Sequence, residues 1–455
     1  MEQLLNAAGA RRFWTHLLLW LVGGAAIGWS AVYFAGASAG VFDAASINPG
    51  DTAWMLASAA LVMLMTPAVG FFYGGMVSSK NVVSVIKQSM IILALVSVQW
   101  VVIGYSLAFG PDTGSGFIGN LANFGLRGVG FAPDPNYAGT IPALVFMIFQ
   151  AMFAIITPAL IIGAFVERIK FKTLVIFTLL WATLVYDPVA HWVWSPDGWL
   201  RAMGALDFAG GTVVHMTAGF SALAAALLVG KRLDTHHPGA TANNVPFVIL
   251  GAALLWFGWF GFNAGSALAA GALAASAFVV TNTAAAAAAL TWVALSWAEN
   301  KKPSALAAAI GAVCGLVAIT PASGYVGPIA ALAIGVLGGV VTYAAVYIRS
   351  KAIKIDDTLD VWAAHGIGGL TGAILTGVFA EKAINAAGNN GLLFGNPQQL
   401  VVQIIAVAAV GLYSFVATWI ILKVLAAIKF PLRVSPAEEA EGLDMATHGE
   451  SAYRV

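Results

Sequence analysis

The chain contains a single cysteine, few charged residues and no polar stretch long enough to form a soluble domain. Cys314 lies in an apolar run, so it permits neither an intrachain disulfide nor a zinc site built from thiolates. Only 9% of the 455 residues are charged, and the formal net charge of +1 argues against a nucleic-acid partner. The shortage of polar sequence also leaves no room for a separate enzyme domain.

Hydrophobic sequence dominates instead and makes up 60% of the residues. Eleven runs are long enough, at roughly 20 residues each, to cross a hydrocarbon core about 30 Å thick. They are predicted near residues 52–77, 86–109, 140–166, 172–192, 210–230, 246–270, 276–297, 303–321, 325–348, 361–380 and 399–428. The sequence therefore predicts an all-α membrane protein with eleven transmembrane helices in a lipid bilayer.

The amino-terminal segment has features of a signal peptide. Two arginines precede an apolar run over residues 13–36, and Ala37-Ser38-Ala39 forms an A-x-A cleavage pattern. The apolar run exceeds the usual length of about 7 to 15 residues, however. Residues 1–39 are therefore either a signal peptide or an extra amino-terminal helix, and both interpretations place residue 43 outside.

Lysine and arginine are distributed unequally between the two sides of the predicted membrane. If the first run begins outside, sixteen of the 21 fall in inner loops or the tail, three fall in outer loops and two precede the first run. The three outer residues are Arg127, Arg201 and Lys382. Because basic residues accumulate on the cytoplasmic side, we expect an outer amino end after processing and an inner carboxyl end.

The first ten runs divide evenly at the polar linker from Lys231 to Val245. An odd number of helices reverses the chain direction, so two five-helix halves predict inverted repeats with a shared site near the membrane midplane. The repeats would cover about 52–230 and 246–380. A last helix near 399–428 would then lead to a cytoplasmic tail over residues 431–455.

Two histidines occupy matching places in these halves. His215 falls on the fifth helix of the first half and His365 on the fifth helix of the second, and each follows an acid, Asp207 or Asp360. Glycines, which let helices approach closely, flank both histidines. Since ionisable groups inside a membrane are costly and mark functional sites, we favour two imidazoles that face each other over two unrelated core histidines.

Aromatic residues at helical spacing lie on three other predicted helices. Phe149 and Phe153 share one face of the third helix, and Trp194 ends the fourth. On the sixth helix one face carries Trp259, Phe262 and Ser266. Such aromatics alone are typical of a packed core or an interfacial belt. Together with a serine hydroxyl and a histidine pair they favour a passage for a desolvated cation, which each π face stabilises by about 0.5–2 kcal/mol.

Several segments resemble those of the ammonium transporter (Amt/Mep/Rh) family, in the same order along the chain. They are FYGGMVSSKN (72–81), GAFVERIKF (163–171), AHWVW (190–194), DFAGGTVVH (207–215) with GKR (230–232), GWFGFNAGSA (258–267), DDTLDVWAAHG (356–366) and EGLDMATHGESAY (441–453). The resemblance covers about 45 to 455, with a transporter domain over 45–430. It is to the bacterial Amt branch, because Trp194 and Ser266 match the ammonium recruitment site of that branch.

The resemblance implies an ammonium transporter or channel of the cytoplasmic (inner) membrane, with no cofactor or metal. Its residue roles are an outer recruitment site of Phe149, Trp194 and Ser266, a gate of Phe153 and Phe262, a pore of His215, His365 and Trp259, and an architectural role for Asp207. It further implies a homotrimer with one pore per subunit. A PII-type nitrogen signalling protein is the expected partner at the inner face and tail.

The physical chemistry of ammonium suggests how such a passage would work. An ammonium ion has four N–H groups that bind water strongly, so it cannot enter an apolar tube intact without a large cost. We expect the outer site to replace part of the water shell. Deprotonation would then let ammonia cross along the histidine edges while the proton moves separately.

Some residues leave alternatives open. Asp187 departs from the family pattern, and we expect it to be solvated near the outer surface or to face the vestibule, where it would attract cations. His191 is expected to be structural, and His236 and His237 are expected to be solvated in an inner loop. Four tail acids indicate a disordered, solvated end by themselves but a regulatory surface by resemblance; they are Glu438, Glu439, Glu441 and Asp444.

Two functions from other classes compete with transport. A membrane enzyme could use the histidine pair to hold a metal, but two histidines without a third histidine or an inward carboxylate are a poor ligand set. A sensor could bind ammonium and signal through the tail, although the sequence contains no kinase or cyclase domain. We therefore favour a transporter.

Overall fold

The structure is a computed structural model that describes residues 46–233 and 242–453. Across these residues the chain forms helices and loops, with isolated bridges but no named strand. The predicted all-α class is thus confirmed for this part of the chain. The expected leader over residues 1–39, together with His236 and His237, lies outside the described residues.

Helices occupy every one of the predicted apolar runs. They are α1 (Pro49–Met76), α2 (Val82–Phe109), α3 (Ala143–Ala164), α4 (Phe171–Ala202), α5 (Gly211–Val229), α6 (Val245–Ala264), α7 (Ala272–Asn300), α8 (Ala305–Ile319), α9 (Pro328–Ile353), α10 (Trp362–Ile367 continued by Gly368–Phe379) and α11 (Pro397–Ala427). Within residues 46–233 and 242–453, nine of them are long and apolar enough to cross a membrane. The others are α8, which has only 15 residues, and α10.

Local sequence explains where several helices begin. Asn48 caps α1 by accepting a hydrogen bond from the backbone nitrogen of Asp51 at 3.1 Å, and Asn244 caps α6 in the same way. Proline is the first residue of α1 and the second residue of α6, positions where its missing N–H group costs nothing. Ser304 caps α8. Polar caps between apolar runs therefore set these boundaries.

Large apolar side chains are exposed along the outside of the bundle. Leu290 on α7, Ile329 on α9 and Leu412 on α11 are 72%, 80% and 69% exposed. Water would solvate such a surface poorly, whereas lipid tails or a second apolar surface would cover it.

The carboxyl-terminal tail folds back onto the helix ends that the sequence predicts to lie inside. Its short helix, α12 (Pro436–Glu441), starts with a capping box in which Ser435 and Glu438 bind each other's backbone nitrogens. The Glu438 carboxylate also lies 2.8 Å from the ammonium group of Lys170, at the start of α4. These contacts hold α12 beside α4.

Two tail acids are buried. Glu439 is 7% exposed and pairs with Arg433 at 2.7 Å, and Asp444 is 2% exposed. The Asp444 carboxylate accepts hydrogen bonds from the backbone nitrogens of Val83 and Ser84 at the start of α2, at 3.1 and 2.7 Å, where a negative charge is favourable. For Glu439 and Asp444, the interpretation as a disordered, solvated end is therefore wrong, whereas Glu441 is exposed.

Candidate functional site

The two histidines of the sequence pattern meet inside the bundle. Nδ1 of His215 and Nδ1 of His365 lie 3.3 Å apart, and the rings are 1% and 4% exposed. Such a contact needs one N–H and one lone pair, so one neutral ring carries its proton on Nδ1 and the other on Nε2. Within the described residues, Nε2 of His215 has no hydrogen-bond partner. That nitrogen remains available to a molecule that passes it.

Backbone geometry brings the histidines together. Each lies in a wide π-helical turn, Gly211–Met216 in α5 and Trp362–Ile367 in α10, a feature common at functional sites. The two helices cross at glycines, because a β-carbon built at Gly219 would lie 2.0 Å from the backbone nitrogen of Gly366. Any larger residue at this crossing would force the histidine-bearing helices apart.

Asp207 caps the turn that carries His215. The buried carboxylate accepts hydrogen bonds from four backbone nitrogens and one hydroxyl, those of Gly210, Gly211, Thr212 and Val213 and the side chain of Thr212. These nitrogens are the unpaired donors of a helix start, so the negative charge sits where the helix dipole favours it. These five bonds occupy both carboxylate oxygens, so neither oxygen is left to accept a hydrogen bond from a substrate.

The counterpart of Asp207 in the second half is Asp357. It precedes His365 by eight residues, as Asp207 precedes His215, and accepts a hydrogen bond from the backbone nitrogen of Trp362 at 2.7 Å. Asp360, the acid that the sequence analysis set beside Asp207, forms an ion pair with Arg349 and does not cap the turn that carries His365. The equal eight-residue spacing was visible in the sequence and could have identified Asp357.

A stack of aromatic rings leads from the histidines to the end of the bundle that the sequence predicts to be outer. The ring of Phe262 lies 5.9 Å from that of His215, and Phe153 lies 4.4 Å from Phe262. Phe153 in turn lies 5.7 Å from Trp194, whose ring is half-buried at the outer end of α4. The two phenylalanines are fully buried. They separate the histidine pair from the outer surface.

Ser266 and Phe149 lie at this outer end as well. The Ser266 hydroxyl donates to the carbonyl oxygen of Phe262 at 2.8 Å, so its lone pairs are left to accept hydrogen bonds from a cation. Phe149 lies 5.0 Å from Phe153, and its ring would be 2.9 Å from a β-carbon built at Gly265, next to Ser266. The indole nitrogen of Trp194 donates to the carbonyl oxygen of Asp207 at 3.0 Å.

Trp259 lines the narrow apolar cavity that contains His215. Its ring is stacked on His215 with centroids 5.3 Å apart, and its indole nitrogen donates to the Thr320 hydroxyl at 2.9 Å. This hydrogen bond fixes the plane of the indole, and the stacked indole limits rotation of the imidazole. Trp259 therefore helps to hold His215 in its contact with His365.

A second cavity, of about 250 Å³, lies on the inner side of the histidine pair. Its wall includes His365 and Tyr73, which also line the narrow apolar cavity that contains His215, and the charged residues Arg232 and Asp360. The lining thus differs between the two cavities, since it is apolar around His215 and includes charged residues beyond His365. Among the described residues, no three His, Cys, Asp or Glu side chains are placed together as metal ligands.

Asp187 is neither solvated nor part of the outer vestibule. Its side chain is 0% exposed, and its Oδ2 atom accepts a hydrogen bond from the Gln99 amide at 2.8 Å. Both interpretations from the sequence are wrong, because the α4 face that carries Asp187 packs against α2. A single-helix pattern cannot show that a neighbouring helix supplies this amide.

Comparison with known proteins identifies the family. The Ammonium Transporter Family profile matches residues 53–453, nearly all of the described chain. The chain belongs to the ammonium transporter family. It is 49% identical over 405 residues to the ammonium transporter of Bacillus subtilis (strain 168), covering 89% of this chain and 98% of that protein. It is 48% identical over 407 residues to ammonium transporter Amt1 of Archaeoglobus fulgidus, covering 90% and 100%.

Solved structures agree with this assignment. Mep2 of Saccharomyces cerevisiae superimposes with a TM-score of 0.81 at 36% identity, covering 86% of this chain and 91% of that one. A structure named Sensor Amt Protein gives a TM-score of 0.79 at 33% identity, covering 88% and 98%. This ammonium transporter family member is therefore a multi-pass membrane protein and not an enzyme.

Proposed function

We propose that this chain moves ammonium or ammonia across the cytoplasmic membrane through the passage that contains His215 and His365. The observation that carries the proposal is the 3.3 Å contact between these rings at the inner end of a buried aromatic stack. Imidazoles are the polar groups that meet a molecule there, and each neutral ring can both donate and accept a hydrogen bond. A small hydrogen-bonding solute is the cargo that such a passage fits.

Recruitment would occur at the half-buried outer end of the stack. Trp194, together with the buried ring of Phe149, would supply the π contacts. The Ser266 hydroxyl has free lone pairs, because its hydrogen is bound to the carbonyl oxygen of Phe262. A cation that enters this site exchanges part of its water shell for these contacts. It cannot proceed with its charge into the apolar section without a large desolvation cost.

Deprotonation on passage resolves this conflict. Beyond the gate of Phe153 and Phe262, ammonia would move along the edges of His215 and His365, and the proton would travel separately over the imidazole pair. Ammonia and the proton would then reach water through the inner cavity with Arg232 and Asp360. Asp207 has an architectural role in this scheme, since its oxygens are occupied by the start of α5.

The architecture that we propose has eleven transmembrane helices, with α8 and α10 counted as spans. Residues 52–230 and 246–380 would form two inverted repeats, which the matching caps Asp207 and Asp357 support. The carboxyl end would lie inside. The exposed apolar faces of α7 and α9 suit the subunit contacts of a homotrimer, and the tail over residues 431–455 would form a regulatory surface for a PII-type signalling protein.

The decisive experiment is transport by the purified protein alone. Proteoliposomes without any partner are given an ammonium gradient, and both the current and the appearance of ammonia nitrogen inside are measured. We expect saturable ammonium-dependent uptake that liposomes without protein do not show. A sensor, the second candidate given the similarity to the Sensor Amt Protein, would bind ammonium without net uptake, and that result would refute the transport proposal.

A further inference from the structure

His191 on α4 is fully buried, and both of its ring nitrogens face hydrogen-bond acceptors. Nδ1 lies 3.0 Å from the carbonyl oxygen of Ala108, at the end of α2. Nε2 lies 3.0 Å from Oδ1 of Asp112, in the loop that follows α2. A carbonyl oxygen can only accept, so the ring must donate through Nδ1.

The state of Asp112 decides what Nε2 does. Its carboxylate also accepts hydrogen bonds from the backbone nitrogens of Gly114 and of Gly116, the latter at 3.0 Å. Burial opposes the charged form, but these two donors together with His191 hold the pKa of Asp112 below its ordinary value. An ionised carboxylate has no hydrogen to donate, so Nε2 must carry one too.

We infer that His191 is an imidazolium ion, and that its ion pair with Asp112 forms a clasp that positions Trp194 for ammonium recruitment. In a neutral ring, one nitrogen would point its lone pair at an oxygen 3.0 Å away. Repulsion between that lone pair and the oxygen is unfavourable at a buried ring, and an imidazolium paired with the Asp112 carboxylate avoids it. The positioning role rests on the proposed function, in which Trp194 contacts the cation.

The clasp acts through the backbone around Trp194. It joins the turn over residues 112–119 to the last part of α4. Two further hydrogen bonds connect the same segments. The Trp192 indole donates to the carbonyl oxygen of Phe117 at 2.8 Å, and the Trp199 backbone nitrogen donates to the carbonyl oxygen of Gly116 at 3.2 Å. These two bonds flank Trp194. His191 lies one helical turn before Trp194, so loss of the clasp would loosen the segment that carries the indole.

Removal of the charge should affect recruitment more than throughput. Asp112→Asn keeps an acceptor oxygen but not the ion pair, and we expect the half-saturation for ammonium uptake to rise about 3- to 10-fold, as for loss of one cation contact, with a near-normal maximal rate. Asp112→Glu restores the charge and should recover part of the affinity. Asp134→Asn is the matched control, because that carboxylate binds the backbone nitrogen of Asn136 in its own turn.

Nitrogen NMR tests the imidazolium directly in the full-length protein. Spectra of histidine-labelled protein with and without His191→Gln identify the His191 signals by difference, and we expect two protonated nitrogens at pH 7. A neutral tautomer would overturn the inference, even if the Asp112 variants fail to fold. An unchanged half-saturation in Asp112→Asn, with a raised value in Trp194→Leu, would refute the positioning role alone. If Trp194→Leu is also unchanged, the recruitment site itself is wrong, and the positioning role falls with it.

Discussion

Nδ1 of His215 lies 3.3 Å from Nδ1 of His365, although the two residues are 150 positions apart in the chain. The contact couples the protonation of the two rings, because only one of the facing nitrogens can carry hydrogen in a neutral pair. A proton that binds at one outer nitrogen therefore changes the tautomer of both rings before it can leave at the other end. The pair is therefore suited to the proton transfer that the proposed function requires.

Removal of both imidazoles should abolish this proton path. We predict that the His215→Ala and His365→Ala double variant loses ammonium-specific charge transport while the protein still assembles, because two small side chains leave a hole without hydrogen-bonding groups. The measurement is current in proteoliposomes under an ammonium gradient. Wild-type current with potassium still excluded would mean that the histidines only fill space.

A single acid in place of either histidine should have a different effect. In His215→Asp or His365→Glu a carboxylate would attract a hydrated cation into the passage, so we predict that flux persists but potassium is admitted. Currents under ammonium and then potassium gradients give the selectivity ratio. The double alanine variant serves as the comparison, and an acid variant that still excludes potassium would show that selectivity arises at the outer gate.

Sequence periodicity and length predicted the helices well, because apolar runs of about 20 residues have few alternatives in a membrane. The contact of His215 and His365 was also foreseen, from their equal places in two halves. The errors concern side-chain partners on other helices. Asp187 accepts a hydrogen bond from the amide of Gln99 on α2, and this partner cannot be located from spacing along one helix.

The outer aromatic and hydroxyl groups should determine affinity and not maximal rate. We predict that Trp194→Leu and Ser266→Ala each raise the half-saturation for ammonium, by about 2- to 30-fold if one cation contact of about 0.5–2 kcal/mol is lost. Initial uptake rates over a range of ammonium concentrations give both parameters. Trp419→Leu, at the other end of the bundle near Lys423, is the control. An unchanged half-saturation in both variants would rule out these residues as the recruitment site.

The tail should influence activity through its docked contacts. We predict that deletion of residues 438–455 leaves assembly largely intact but changes transport activity or its response to a PII-type protein. Asp444→Ala should give part of this effect, because it removes the carboxylate that caps α2 at Ser84. Glu441→Ala, at an exposed tail acid, is the matched control. Equal transport and equal partner binding by the truncated and complete proteins would contradict a regulatory tail.

The glycine crossing should be indispensable for the histidine contact. A β-carbon at Gly219 would lie 2.0 Å from the backbone nitrogen of Gly366 and 2.2 Å from its α-carbon, and backbone atoms cannot rotate away as a flexible side chain can. We therefore predict that Gly219→Ala separates α5 from α10, lowers stability by about 1–3 kcal/mol or more and reduces ammonium current. Thermal unfolding in detergent and proteoliposome current measure the two effects. Gly411→Ala on α11 is the control, since its β-carbon would meet the Phe220 ring at an ordinary 3.4 Å, so its Tm and current should stay near wild type. If the Tm and current of Gly219→Ala match those of Gly411→Ala, the crossing tolerates a β-carbon. The distance between the imidazoles is then not set by glycine packing.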